Sequence, residues 1–423
     1  MILDRSKAPE FKIPEDFELL PPLERTLSNG SKFFYIPTPG LNAVKIEVMG
    51  KGRRTSLPLV QTLVPMFTLQ MLHEGTKQKT ARELAEFFDF YATQVYSNPS
   101  FSHEGLGLLS TKKHIFTVLD VFLSMFSEAT FPPEMLEKRK SLMKLSIQVE
   151  HEKTASRANQ VFKKCLFGAT HPYGVIVQET HVDAVSRDLL LDYYNHMLWQ
   201  DLEVFVVGDF DSQELDRLLS LFGQLPNRIP TDSVLLPNID TLLAVKEPKE
   251  KSVQSSVRIG HCSVSKKHED FIPLTVFNTI LGGYFGSRLI KNIREDKGHT
   301  YGIYSALAEV IDSNYWVIAA DVQKAYYPEV IKEIYHEIRL LTEEEISSDE
   351  LEVVRNYLIG KMLMQFSTPF DLLDGFQAVH RSGLALDYYS QKLAYLKTFS
   401  AEDILTIGRK YFSNPPFIEV VVG

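Results

Sequence analysis

Twelve histidines are the first place to look for chemistry in this chain of 423 residues. A catalytic zinc site wants neutral imidazoles and a carboxylate. Two histidines four residues apart on one helical face, with a glutamate as base, are its usual signature. The sequence contains neither H-E-x-x-H nor the inverted H-x-x-E-H. Five His-Glu dipeptides occur, at 73–74, 103–104, 151–152, 268–269 and 336–337. Neighbours in sequence point to different faces of a helix, so these read as polar surface residues rather than metal ligands. There is no G-x-S-x-G elbow and no phosphate-binding P-loop. The stretch "MFTLQMLHEGT" (66–76) has a helical stripe at 66, 69, 70 and 73, but the stripe carries Met, Leu, Gln and His.

The densest candidate is "LGGYFGSRLIKNIREDKGHTYGIYSAL" (281–307). Its glycines Gly282, Gly283 and Gly286 do not form G-x-G-x-x-G, and they suit a loop that needs close backbone approach. A short helix "SRLIKNIRE" should follow, broken at Lys297-Gly298, with "HTYGIYSAL" as a strand. Arg294 then lies near a helix end and Tyr301 at a strand start, both facing one cleft. On local pattern alone, a solvated arginine and a packed tyrosine explain the two residues better than a site does.

The elements that must position these residues follow from the wider pattern. With 44% hydrophobic and 23% charged residues, the composition is that of an ordinary globular protein. The length suggests two domains. A net charge of −9, with no Lys/Arg-rich run, argues against nucleic acid or an anionic membrane surface as partner. Cys165 and Cys262 are far apart and read as free thiols in a reducing compartment. The N-terminal residues have no apolar signal core, and no run reaches a membrane span, so a cytoplasmic setting is expected.

"LERTLSNGSKFFYIPTP" reads as a hairpin turning at Asn29-Gly30, and "NAVKIEVMG" as a further strand. Residues 58–73 read as a buried helix, and Thr80–Glu83 as a capping box. Residues 112–130 read as another apolar helix. A long helix should start at Pro132-Pro133 and run to about Phe162. "DLEVFVVGDF" is a buried strand. The second half repeats the plan with strands in 252–264 and "YWVIAADVQ", a helix "PLTVFNTILGG" and a last strand "FIEVVVG". Pro58-Leu59 and Pro273-Leu274 are 215 residues apart, as are Val207-Gly208 and Val422-Gly423. The expectation is an internal duplication: two tandem α+β domains, each a mostly antiparallel sheet with helices packed mainly on one face. The boundaries are 1–224, a linker at 225–241 and 242–423.

The two repeats, with "EGT…ARELAEFF", "LFGATHPYG" (166–174) and "LGG.F.SRL…IRE..G.TY...S", resemble the pitrilysin/insulinase family of inverted-zincin metallopeptidases, in its short bacterial form. The resemblance spans nearly the whole chain. It implies zinc ligands on a first-half helix just before a Gly-Thr, with a later glutamate on a long helix. Anchored on Gly75-Thr76, the ligand positions are Met66 and Gln70, the base position is Leu69, and the later glutamate falls on or beside Ser146. None has the required chemistry. His73 with Glu150 and Glu152 is the one conceivable displaced metal site. The resemblance also implies that Arg294 and Tyr301 hold substrate, with Gly282, Gly283 and Ser287 shaping the loop beside them. The expected role is a non-catalytic subunit, binding no cofactor of its own, with zinc only in the partner. The partner would be an H-x-x-E-H relative or a second copy, closing like a clamshell on a peptide. The alternative is a peptide-binding or structural homodimer with no proteolytic role.

Overall fold

The computed structural model describes residue 6 and residues 14–229, 243–310, 314–413 and 416–423. Two sheets organise them. The first contains β1 (Leu23–Thr26), β2 (Lys32–Pro37), β3 (Ala43–Lys51), β4 (Gln94–Pro99), β5 (His103–Thr111) and β6 (Glu203–Gly208), ordered β1-β2-β6-β3-β5-β4 across the sheet. The second contains β7 (Ala244–Glu247), β8 (Gln254–Cys262), β9 (Thr300–Ala308), β10 (Tyr315–Gln323) and β11 (Ile418–Val422), ordered β7-β11-β8-β10-β9. Without β1 the two orders match strand for strand. Each has one parallel joint, β2–β6 or β7–β11, and antiparallel pairing elsewhere. The chain therefore forms the expected pair of similar α+β units.

The 215-residue offset holds only at the last strands. Pro273 lies in the first turn of the helix Phe271–Asn278. Its counterpart is Pro65, in the first turn of the helix Val64–Met71. Pro58 instead precedes the short 3-10 turn Leu59–Gln61, so the predicted single helix over 58–73 is interrupted. The hairpin β4–β5 was not predicted, because Gly105 and Gly107 dilute its strand pattern. Both are needed there. A Cβ at Gly105 would come within 2.0 Å of the Val48 carbonyl oxygen, and one at Gly107 within 2.2 Å of the Tyr96 ring. The Thr80 capping box forms as read. Residues 230–242, most of the predicted linker, lie outside the described residues.

The long helix predicted from Pro132-Pro133 is two helices, Pro133–Glu152 and Thr154–Phe167. Lys153 between them is extended, with φ −77° and ψ 121°. At this corner Lys153 Nζ meets Glu150 at 2.6 Å, and the Ser156 hydroxyl also donates to Glu150. The turn redirects the chain onto the other half. Ala158, Val161, Phe162, Cys165 and Leu166 pack against Ile418, Val420 and Val422 of β11. Arg157 makes a forked pair with Glu247 of β7 at 2.8 Å.

The second half returns a helix. Pro369–Arg381 lies on the first sheet, with Phe376 5.2 Å from Phe34 and 6.4 Å from Phe205 between ring centroids. Gln377 donates to Glu47, and His380 meets Glu203, each at 2.5 Å. Own-half helices also pack on each sheet, Val64–Met71 and Ile115–Ser124 on the first and Tyr327–Glu343 on the second, so each sheet is covered by helices from both halves. Burying one phenylalanine ring in such a layer contributes about 2–3 kcal/mol. The exchange therefore locks the two halves by apolar contact first and by polar pairing second.

One ionisable network sits at the sheet's heart. Glu104 is wholly buried, and Tyr193 donates to it at 2.5 Å. Burial raises its carboxyl to about 8, well above its ordinary value of 4.5. The folded chain therefore keeps a proton that the unfolded chain releases. The group's stabilising contribution is complete below about pH 4.5 and is lost as pH rises towards 8. Replacing Glu104 with Gln keeps an acceptor for Tyr193 and should flatten urea-unfolding stability across that window. A Glu104→Gln protein with the same decline between pH 5 and 8 would show the assignment to be wrong. Phe376→Ala should lower stability by about 3–4 kcal/mol, read from the urea midpoint at unchanged slope.

Candidate functional site

The first candidate surface is the helix Val64–Met71. Pro65 starts it, and the Thr68 hydroxyl donates back to Val64 O at 2.8 Å. Phe67, Leu69 and Met71 are buried, while Met66 and Gln70 are half-buried on its outer stripe. The chain then tightens into the turn Leu72–Glu74 and leaves through Gly75 at φ +138°, which only glycine adopts cheaply. His73 Nε2 lies 2.8 Å from Ser97 Oγ on β4, and Ser97 donates to Leu69 O at 3.2 Å. The stripe thus runs alongside β4, the open edge of its sheet.

Arg139, from the helix Pro133–Glu152, closes the stripe. Its Nε donates to Glu74 at 2.6 Å, and Nη1 reaches Gln70 Oε1 at 3.5 Å. Burial, and then the Arg139 charge, push His73 down to about 4, so its ring is neutral at physiological pH. Ser146, two turns beyond Arg139, is exposed. The predicted displaced site does not assemble: Glu150 pairs with Lys153, Glu152 lies 3.9 Å from Lys249, and His73 stays with Ser97. Among the described residues no group of three or more His, Cys, Asp or Glu is arranged to hold a metal. The residues present do not fit zinc. A thioether, an aliphatic chain, an amide and a hydroxyl stand at the four positions, and a fixed guanidinium adds positive charge beside them. Sequence reading missed Arg139 because "EKRKS" looks like any solvated helix face.

The second candidate surface lies on the other half. The helix Phe271–Asn278 continues into a π-helical turn, Thr279–Gly283, and a second π-helical segment spans Ile290–Asp296. Both pack on β9. Such wide turns are rare and concentrate at functional sites. Gly282 permits the approach: a Cβ there would stand 2.7 Å from Ser305 N. Beneath it, Ser305 and Trp316 both donate to Asn278 Oδ1, at 2.6 and 3.1 Å. Ser287 is buried, its amide donating to Tyr284 O, which turns the loop back.

Ile290 and Ile293 anchor the second segment in the core, and Arg294 projects outward. Its guanidinium sits 5.1 Å from the Phe285 ring centre. It has no carboxylate partner among the described residues. Tyr301 is 91% exposed. The cause is a one-residue irregularity in β9: Thr300 pairs with Val322 and Ile303 with Ala320, so three steps on β9 face two on β10. Thr300 Oγ1 fixes it by donating to Asp321 O at 2.7 Å. Such a bulge re-aims one side chain, here Tyr301 towards solvent on the sheet's open edge. Arg294 and Tyr301 thus sit on touching elements, yet no hydrogen bond joins them to each other or to the Met66–Gln70 stripe among the described residues. A planar fork and a phenol without hydrogen-bond partners among the described residues can each donate to carbonyl oxygens or a developing oxyanion.

A model described as the peptidase M16 inactive domain matches residues 184–358. A Bacillus subtilis protein described as the uncharacterized zinc protease YmxG is 25% identical over 347 residues, covering 81% of this chain and 84% of its own. The probable inactive metalloprotease YmfF of the same organism is 21% identical over 301 residues, covering 69% and 68%. A crystal structure of the peptidase M16 inactive domain from Pseudomonas fluorescens superposes with a TM-score of 0.85 at 18% identity, over 96% of this chain and 98% of that one. A protease from Helicobacter pylori gives 0.83 at 16%, over 95% and 100%. These two likenesses concern the fold. The duplicated sheets and the sequence relatives agree in likening the chain to the peptidase M16 family, the pitrilysin/insulinase metallopeptidases, although it carries no H-x-x-E-H.

Proposed function

We propose that this chain is the non-catalytic subunit of a zinc-dependent peptidase. A zinc-bearing H-x-x-E-H relative supplies the metal, and this chain supplies Arg294 and Tyr301 to the peptide across a clamshell dimer in the cytoplasm. The observation that carries the reading is an asymmetry. On one half, Met66, Leu69 and Gln70 offer no metal ligand set, and Arg139 holds Glu74. On the other, Arg294 and Tyr301 are presented without a hydrogen-bond partner among the described residues by segments that cost the fold something to build: two π-helical turns and a strand bulge. A merely solvated arginine needs neither.

Two measurements test this. The chain should be mixed with an H-x-x-E-H relative from the same source and assayed on a peptide pool. Activity should exceed that of the relative alone. Arg294→Ala should lower kcat/KM by about 10²-fold, as loss of a transition-state donor does, and Tyr301→Phe by less. Unchanged activity in both variants would favour a scaffold homodimer. Separately, the purified chain should hold well under one zinc; about one tightly held zinc per chain would overturn the non-catalytic reading.

A further inference from the structure

Between the two halves lies a cavity of about 810 Å³. Its first-half wall is Glu47, Met49 and the β4–β5 turn with His103. Its second-half wall includes Lys266, Lys267, Glu309 and the exchanged helix through Asp374, Gln377, Ala378 and Arg381. This volume is in the range of small-molecule sites. It is separate from both surfaces described above.

Three carboxylates, Glu47, Glu309 and Asp374, and three cations, Lys266, Lys267 and Arg381, line it, and Arg381 feels the charges of Glu47, Glu203 and Asp374. Glu47 accepts from Tyr96 at 2.8 Å and from Gln377 at 2.5 Å. Asp374 pairs with Lys45 at 2.5 Å, Glu309 with Lys266 at 3.3 Å, and Glu203 with His380 at 2.5 Å. Each nearby carboxylate is therefore engaged. Arg381 is left over. Its Nε and Nη2 are buried and have no hydrogen-bond partner. Its guanidinium lies 5.2 Å from the Phe205 ring centre, which occupies a face and leaves the in-plane donors open. Those two nitrogens form one edge of the fork, the edge that takes a carboxylate or phosphate in two parallel bonds. A buried charged donor without an acceptor is expensive, on the order of 1–3 kcal/mol or more, and such groups in folded proteins have an explanation.

Lys267 and His103 line the same cavity. Lys267 reaches the turn after the exchanged helix: a Cβ on Gly383 would stand 3.0 Å from its Nζ. His103 is held low, at about 3, by burial and then by Arg381, His380 and Lys51.

We propose that the inter-half cavity binds a small oxyanion, a carboxylate or phosphate group, in the fork of Arg381 with Lys267 and His103 beside it. The Arg381 edge is buried, so binding would require the side chain, which already lines the cavity, to turn that edge to the ligand. The ligand would touch both halves at once, and its occupancy would add to their mutual affinity by mass action.

The test is calorimetric titration of the full chain with sodium phosphate and, separately, sodium succinate, at ionic strength matched with sodium chloride. Saturable one-to-one binding of either anion is expected. Phosphate alone or succinate alone identifies the class. Arg381→Gln should weaken it by at least about tenfold. Ala378→Asp, one helical turn away on the cavity wall, supplies the missing carboxylate internally and should abolish binding while leaving near-ultraviolet circular dichroism native. It keeps the question open to measurement should Arg381→Gln misfold. No saturable heat with either anion, or wild-type affinity in a folded variant, overturns the proposal.

Discussion

The structure depends on an exchange of helices between two half-finished layers. A sheet with helices on one face still has an apolar face to hide. Each half solves this with a helix borrowed from the other: Thr154–Phe167 covers β8 and β11, and Pro369–Arg381 covers the Phe34–Phe205 face. The consequence is rigidity between units that share little continuous sequence. The inter-half cavity is also a product of this exchange, since its walls are the ends of the borrowed helix and the β4–β5 turn. The polar pairs along the same helix, Gln377–Glu47 and His380–Glu203, set its register on the sheet rather than its affinity.

The two surfaces differ in kind because the same fold has treated them differently. On the first half, every outward group near the Gly75 turn is answered from within: His73 by Ser97, Glu74 by Arg139. On the second half, the backbone is tied down while the side chains are left free. Asn292 is gripped by Glu333 and Glu337, and Lys297 by Glu333 at 2.5 Å, so the π-helical segment is fixed from behind. Arg294 and Tyr301 then project from a rigid mount. Fixing the frame and freeing the donors lowers the entropy lost when a ligand is held.

Much of this was legible in the sequence. The Val-rich strands β6, β10 and β11, the Thr80 cap and the duplication rest on local composition and spacing, which single sequences carry well. That Met66, Leu69 and Gln70 carry no metal-ligating chemistry is visible in the residue types, whereas their correspondence to zinc positions comes only from the resemblance. What stayed hidden was tertiary. Gly105 and Gly107 mask β5 because their use is steric contact with β3 and Tyr96. The break at Lys153 has no proline or glycine to announce it; the corner is made by Glu150, Lys153 and Ser156 acting together. Arg139 and Arg381 read as surface cations in sequence, and only the packing reveals one as paired and the other as orphaned. The outward turn of Tyr301 depends on a mismatch with β10 that no local pattern encodes.

The reciprocal exchange also sets a timetable for biosynthesis. All six strands of the first sheet have been synthesised once Gly208 is made, but the helix that covers its second face begins at Pro369, about 160 residues later. At the usual pace of translation this is a wait of roughly 10–30 s. During it, the Phe34 and Phe205 rings lack the helix that covers them in the folded chain. A chain built this way leaves one face of its first sheet uncovered until most of its second half has been made.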